Sequence, residues 1–438
     1  MPKKIMIDGR NLNLEKGTGV ATYARNLSYC LRDIGYDVDV LYGNKTAPGQ
    51  SDLIKEISFF DSDNESGPRW LKILRSTKES LSGTLGYQAT KVPITGSVIV
   101  DTFKSKLPYF NSIYNSPDLF RKSHNSFGLS KKIRKVNMQE KPDLMHWTYP
   151  LPLKISSIPN IYTLHDLVPL RLPYTTLDNK RKYLRLVEKI ASSADHIVTV
   201  SESSKNDIIK ILGVSPERIT NTYQSVSIPE KYANKSEDLV QTEVEGTFGL
   251  EYKNYFIFWG SIEPKKNIGR IIEAYLSSGV KTPLVIVGAM AWKAENELKL
   301  LYDDNIRPLV KVGNETRVKN KVIQLKYVPF PLLVSLIKGA KATLFPSLYE
   351  GFGLPVLESM LLGTPVISSN TASIPEVAGD AAILVDPYDT RSIADAIRKI
   401  DSDSDLREHL IEKGFGQARL FSRSEYMKKI SVVYEKFI

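Results

Sequence analysis

Short, uniformly apolar runs recur along this chain, each followed by a polar loop and an amphipathic stretch, and this repetition restricts what it can fold into. Ile5, Met6 and Ile7 lead through a loop from Asp8 to Gly19 into a stretch with Tyr23, Leu27, Cys30 and Leu31 on one side, and a second apolar run follows over 38–42. Unbroken apolar runs suit strands covered on both faces, and parallel strands need helical crossovers between them. The order strand, loop, helix, strand therefore predicts a parallel α/β sheet. Runs at 144–146, 161–164 and 197–200 continue this series, with a helix expected over 178–191. A second series occupies 255–259, 284–287, 323–328, 344–345 and 366–367.

A chain of 438 residues exceeds what one core usually organises, so two series predict two domains. The polar segment 229–251, with Glu237, Asp238, Glu243 and Glu245, separates them and reads as the linker. Residues 1–245 and 246–420 are the expected domains, and two open parallel sheets facing each other would form a cleft beyond their strand C-terminal ends. From Tyr426 onward, Met427, Ile430, Val433, Tyr434 and Phe437 form an apolar stripe at helical spacing. Residues 45–140 are rich in Ser, Asn and Lys and carry 15 Lys or Arg against 9 Asp or Glu, which reads as a basic insertion or decorated surface. Within it Trp70, Leu74, Ile94, Ile99, Phe103 and Phe110 can seed short packed helices.

Composition narrows the function classes. Hydrophobic residues at 42% and charged residues at 25% exclude a collagen-like or wholly disordered chain. Cys30 is the only cysteine, which excludes an intrachain disulfide and a thiolate metal cluster and fits a reducing, cytoplasmic setting. The opening MPKKIMIDGR has no apolar signal region, and no run approaches the roughly 18 residues that span a bilayer. Any membrane contact is expected to be peripheral, at the inner face of the cell membrane. The net charge of +10 favours anionic partners such as nucleotide phosphates or an anionic membrane surface. No zinc-finger, homeodomain or RNA-recognition pattern accompanies it, so no nucleic-acid partner is expected.

The chemistry-bearing residues gather where strands end. Gly17, Thr18 and Gly19 precede the first helix, where free amides suit a phosphate, although an ordinary turn fits equally and the spacing is not that of a dinucleotide fingerprint. Gly260 and Ser261 follow an apolar run, and Lys265 and Lys266 set two ammonium groups at a strand-to-helix junction, suited to a pyrophosphate or simply to solvent. In SLYEGFGLPVL, Glu350 precedes Gly351, Phe352, Gly353 and Leu354, with Pro355 placed to open a helix that carries Glu358. Carboxylates there can accept sugar hydroxyls and the amides between them can meet phosphate oxygens, or the pair can be a solvated turn and cap. His165 and Asp166 end one run and His146 another, positions that serve a ligand cleft or a structural histidine. Asp8 and Arg10, after the first run, form a charged pair without an evident role.

Taken in order, GTG at 17–19, HDLVP at 165–169, SESSKNDI at 201–208, GSIEPKKN at 260–267, EGFGLPVLE at 350–358, GTPVISSN at 363–370 and IPEVAGDAAILVDP at 374–387 resemble glycosyltransferase family 4. The likeness covers most of the chain outside 45–140. It implies a GT-B architecture, two Rossmann-like domains with parallel sheets facing across a cleft, acceptor on the first, sugar-nucleotide donor on the second, and 421–438 as a helix crossing back to the first. By motif, Glu350 is implied beside the transferred hexose, Glu358 at the ribose, Lys266 with Lys265 at the donor pyrophosphate, His165 near the reaction centre and the loop of Gly17 and Gly19 closing on the pyrophosphate. Two positions depart from the family pattern: Ser261 stands where arginine is frequent and Arg423 where tryptophan is frequent.

The implied reaction is metal-independent, cofactor-free hexose transfer with net retention, the leaving diphosphate serving as base. The motifs DGRNL, GTGV, HDLVP and SIEPKKN are most similar to polysaccharide-building mannosyltransferases, which implies GDP-mannose as donor and a saccharide or lipid-linked saccharide as acceptor, with the basic 45–140 segment attracted to anionic lipid. Rhamnosyl, glucosyl or N-acetylglucosaminyl transfer from a dTDP- or UDP-sugar is the alternative. A nucleotide-sugar epimerase or a non-catalytic sugar-nucleotide binder stands further off.

Overall fold

The computed structural model describes residues 2–12, 19–45, 52–60, 86–96, 98, 107–226, 228–291, 294–302, 309–312, 315–318 and 321–438. The chain divides into two units, the first of residues 1–167, 179–225 and 423–438 and the second of 168–178 and 226–422.

Unit 1 holds an eight-stranded sheet in the order Ile219–Asn221, His196–Thr199, Asn160–Thr163, Leu144–Trp147, Lys4–Asp8, Asp37–Tyr42, Ser112–Asn115, Thr90–Val92. Its strands run parallel except the last, which pairs antiparallel with Ser112–Asn115. Lys4–Asp8 is central: Ile7 faces Val40 on one side and His146 on the other. The chain grows outward from it in one direction and then crosses to the other, so the loops after Lys4–Asp8 and Leu144–Trp147 part above the sheet, where α/β folds accept ligands. Helix Gly19–Ile34 buries Tyr23, Ala24, Leu27, Cys30 and Leu31 along one face. Helix Arg423–Tyr434 joins the same unit through Tyr426, Ile430, Val433 and Tyr434, with Tyr426 edge-on to Tyr23 and Arg423 paired to Asp33.

Two expectations change here. Residues 45–140 are not only a surface decoration: Ser112–Asn115 is an interior strand with Ile113 and Tyr114 buried, and helix Leu119–Ser130 buries Leu119, Phe120 and Phe127. The strand is four residues long with two apolar side chains, too short for a periodicity to register. Trp70, Leu74, Ile99 and Phe103 lie outside the described residues. The supposed linker contains helix Glu237–Phe248, capped by Ser236 and packed into unit 2 by Val240 and Val244, so the units part at 225/226 rather than 245/246. Only those two positions of the helix are fully buried, with Phe248 partly buried against the same core, which made the segment read as polar throughout.

Unit 2 has a six-stranded parallel sheet in the order Val322–Leu325, Leu284–Val287, Phe256–Trp259, Ala342–Phe345, Val366–Ser369, Ile383–Val385. The first strand of the series, Phe256–Trp259, again sits between a neighbour formed next and one formed later, which sets a second switch point above Trp259 and Phe345. Phe258 and Phe345 stack at 5.8 Å between ring centroids beneath it.

Candidate active site

In unit 2 the strand Phe256–Trp259 ends at Gly260, at φ 139°, whose amide donates to Val287 O at 3.0 Å and is therefore committed to the sheet. The Gly260 carbonyl lies 1.9 Å from where a β-carbon on Gly288 would stand, so the neighbouring strand must end in glycine to let the loop leave. A short turn, Pro264–Lys266, closes into Asn267 in the left-handed region at φ 62°. The buried Asn267 amide donates to Pro346 O at 3.0 Å and Pro387 O at 2.7 Å, and Leu348 N donates to Lys265 O at 2.8 Å. These bonds clamp the lysine turn to the loop that follows Ala342–Phe345.

The clamp brings Lys266 Nζ within 2.6 Å of Glu350 Oε1, both side chains largely buried at 12% and 8% exposure. The ammonium also sits 4.7 Å above the Phe345 ring. Burial alone would push the Glu350 carboxyl up, but Lys266, then Lys265, outweigh it and hold it below the ordinary carboxylate range. Glu350 is thus ionised, and its backbone carbonyl and that of Phe352 both meet the Ser373 hydroxyl at 2.9 Å. Lys265 stands 3.7 Å from Glu263, and exposed Ser261 donates to the same carboxylate oxygen at 3.3 Å.

Beyond Glu350 the chain turns at Gly353, at φ 105°, into helix Leu354–Leu361 with Pro355 in its first turn. The Phe352 ring packs edge-on to Phe421 at 5.5 Å, so it is a core group, and what it presents to a ligand is backbone. Glu358 accepts from the Trp259 indole at 3.4 Å. Part of its surface reaches solvent, yet the protein around it pushes its carboxyl up to about 7, so near neutrality it both donates and accepts.

In unit 1 Asp8 ends the central strand fully buried, and its carboxylate accepts from the backbone N and hydroxyl of Thr148 and from Arg10 N. Burial pushes the Asp8 carboxyl up to about 6, those bonds opposing. Thr148 O in turn accepts from His165 Nε2 at 3.0 Å, which fixes the tautomer and leaves Nδ1 as the acceptor nitrogen. Burial holds His165 below the usual imidazole value, and the Tyr23 ring meets it edge-on at 4.8 Å. Gly19 is the exposed first residue of helix Gly19–Ile34, and Gly17 lies outside the described residues.

The structure therefore brings Lys265, Lys266, Glu350 and the turn from Gly351 to Leu354 together in unit 2, with Glu358 tied to the strand end beside Gly260 and Ser261, while His165 and Gly19 belong to unit 1. His146 serves the core: its ring bonds Tyr434 and, at 2.7 Å, Thr163, which meets the Tyr23 hydroxyl at 3.0 Å. Sequence reasoning passed over Trp259 and Ser373 as functional supports, and read Thr148, with Trp147 and Tyr149 after His146, as lining an acceptor cleft or covering the sheet. Trp259 ends an apolar run and could have been flagged by place; nothing local marks Ser373.

Residues 242–417 match the family model described as Glycosyl transferases group 1, and residues 98–227 match Glycosyltransferase Family 4. O-antigen chain mannosyltransferase B of Escherichia coli is 32% identical over 60% of this chain and 66% of its own length. O-antigen chain mannosyltransferase RfbU of Salmonella typhimurium is 32% identical over 58% of this chain and 63% of its own. The chain thus matches just under two thirds of these curated relatives. Among solved structures, WaaG, a glycosyltransferase involved in lipopolysaccharide biosynthesis, shares the fold at a TM-score of 0.61 with 14% identity, covering 98% of this chain and 99% of its own. A sucrose-phosphate synthase from Thermosynechococcus elongatus does so at 0.65 with 15% identity, covering 99% and 98%.

Proposed function

The chain belongs to glycosyltransferase family 4 and has the GT-B fold of two Rossmann-like units, and from that premise we propose that it moves a hexose from a nucleotide sugar to a saccharide or lipid-linked saccharide acceptor in surface-polysaccharide assembly. The observation that carries the reading is the buried Lys266–Glu350 pair at the second switch point. An ammonium has three donors and Glu350 takes one, so Lys266 keeps capacity for the donor diphosphate as negative charge builds on it. Glu350, held ionised, faces the hexose, and Glu358 the ribose hydroxyls. Neutral His165 offers Nδ1 to a hydroxyl of the donor sugar.

The acceptor hydroxyl oxygen bonds to the anomeric carbon while the bond from that carbon to the diphosphate oxygen breaks. The hydroxyl proton passes to the departing diphosphate, so the products are a glycoside of retained configuration and a nucleoside diphosphate. Such a front-face route relies on orientation and charge stabilisation rather than on a paired acid and nucleophile. The names of the similar O-antigen enzymes support mannose as the transferred sugar, and GDP-mannose is the donor proposed with it. No helix among the described residues is long and apolar enough to cross a membrane, and contact with an anionic surface would be peripheral.

The test offers GDP-mannose, UDP-glucose, UDP-N-acetylglucosamine and dTDP-rhamnose with free and lipid-linked saccharides, read by mass spectrometry and linkage NMR. An α-mannoside from GDP-mannose is the expected product. Transfer from none of the four, or an inverted anomer, overturns the reading.

A further inference from the structure

A second polar cluster lies in unit 1, at the sheet edge that also carries Asp8 and His165. Helix Leu119–Ser130 follows the C-terminal end of strand Ser112–Asn115, and Phe120, His124 and Gly128 recur along it at intervals of four on one face. At one end of that face the Arg10 guanidinium stands 6.0 Å from the Phe120 ring centroid. At the other, Lys182 Nζ lies 3.6 Å from where a β-carbon on Gly128 would be, in the room that glycine leaves. His124 sits between them, and its Nδ1 is buried without a hydrogen-bond partner. Arg10 comes from the loop after the central strand and Lys182 from the first turn of helix Lys180–Ser193, so three elements converge.

What this cluster lacks is an anion. Among the described residues neither Arg10 nor Lys182 forms an ion pair. The acids close in sequence pair with neither side chain: Asp118 takes the Arg121 guanidinium at 3.1 and 2.9 Å, and Asp8, though within electrostatic reach of Arg10, spends its hydrogen bonds on Thr148 and the Arg10 backbone amide. Burial, then Lys182 and Arg10, push the His124 imidazole down to about 4. A buried polar nitrogen without a partner calls for one, and two cations beside an imidazole suit a compact anion with several acceptor oxygens.

We propose that Arg10, His124 and Lys182 form a phosphoryl-binding site that takes the phosphate or diphosphate through which the acceptor saccharide is carried on its lipid. The acceptor assignment rests on the transferase reading above; the anion site does not. With five histidines in the chain, 13C-histidine labelling resolves His124, assigned by His124→Gln. Soluble pyrophosphate is expected to raise the His124 pKa by about one unit or more in the wild type and in Lys266→Met, and not in Arg10→Ala/Lys182→Ala. An unmoved resonance in the wild type, or an equal shift in the double variant, overturns the site.

The second arm compares one saccharide on a short prenyl diphosphate with its methyl glycoside. The KM of the methyl glycoside divided by that of the prenyl diphosphate should fall about tenfold in the double variant. If the ratio holds while flotation with phosphatidylglycerol–phosphatidylcholine vesicles is lost, the phosphoryl group is a membrane headgroup and the acceptor assignment fails. If neither saccharide is glycosylated while the His124 response persists, the transferase reading fails and the anion site stands.

Discussion

Lys266 and Glu350 stand 84 residues apart, and each makes the other's charge tolerable inside the protein. Removing one partner of a buried pair leaves an uncompensated charge at a cost of about 3 kcal/mol, whereas removing both need not. Lys266→Met is therefore expected to lose about that much in urea unfolding together with transfer activity, and Lys266→Met/Glu350→Gln to regain stability but not activity. Loss of stability in the double variant as large as in the single one would show the pair does not act as a pair. For Glu358 the sign runs the other way from an ordinary ion-paired carboxylate. Its folded-state value of about 7 stands above the usual 4.5, so the native chain keeps a proton that the unfolded chain has released. Stability is lost as pH rises from about 4.5 to about 7 and levels off above that. Glu358→Gln should match the wild type in melting temperature near pH 4 and exceed it at pH 8, and parallel curves across that range would contradict the assignment. The E-x7-E spacing was legible in the chain, but that Glu350 is ionised follows from Lys266, and that Glu358 is not fully so follows from its burial, which the Trp259 indole only partly offsets; no local pattern links these groups.

Strand ends and their loops carry the site, and glycine decides how closely they approach. A β-carbon at 288 would strike the Gly260 carbonyl, which is backbone and cannot swing away. Gly288→Ala is expected to cost about 2 kcal/mol as overpacking and to weaken donor binding measured by calorimetry, because the Gly260 loop must shift. In unit 1, Asp8 holds Thr148 and Thr148 holds His165, so Asp8→Ala should lower turnover more than it lowers donor affinity, which Lys266, Glu350 and Glu358 still supply. Equal falls in turnover and donor affinity would point to a damaged fold instead. The long apolar strands and the helices Gly19–Ile34 and Lys180–Ser193 could be read from periodicity. Ser112–Asn115 and Glu237–Phe248 could not, because two buried apolar side chains in each are too few to make a pattern.

Residues 423–438 complete unit 1 rather than unit 2, although unit 2 supplies the chain immediately before them. Tyr426, Ile430, Val433 and Tyr434 are buried there, and Tyr434 bonds His146 in the central part of the sheet. At about 1.5–3 kcal/mol for each buried side chain, their loss approaches the roughly 5–15 kcal/mol that holds a domain folded. A chain ending at Ser422 should thus lose the calorimetric unfolding transition of unit 1 and keep that of unit 2; two intact transitions would contradict this. By itself the sequence determined the class of fold, because apolar runs and helical crossovers are local patterns that a parallel sheet imposes on every strand. It also determined the chemical types offered at the strand ends. Tertiary structure alone decided which of those groups meet, since Asp8 with Thr148, Lys266 with Glu350 and Trp259 with Glu358 are joined by strand order and sheet register, and these are set by the packing of whole layers.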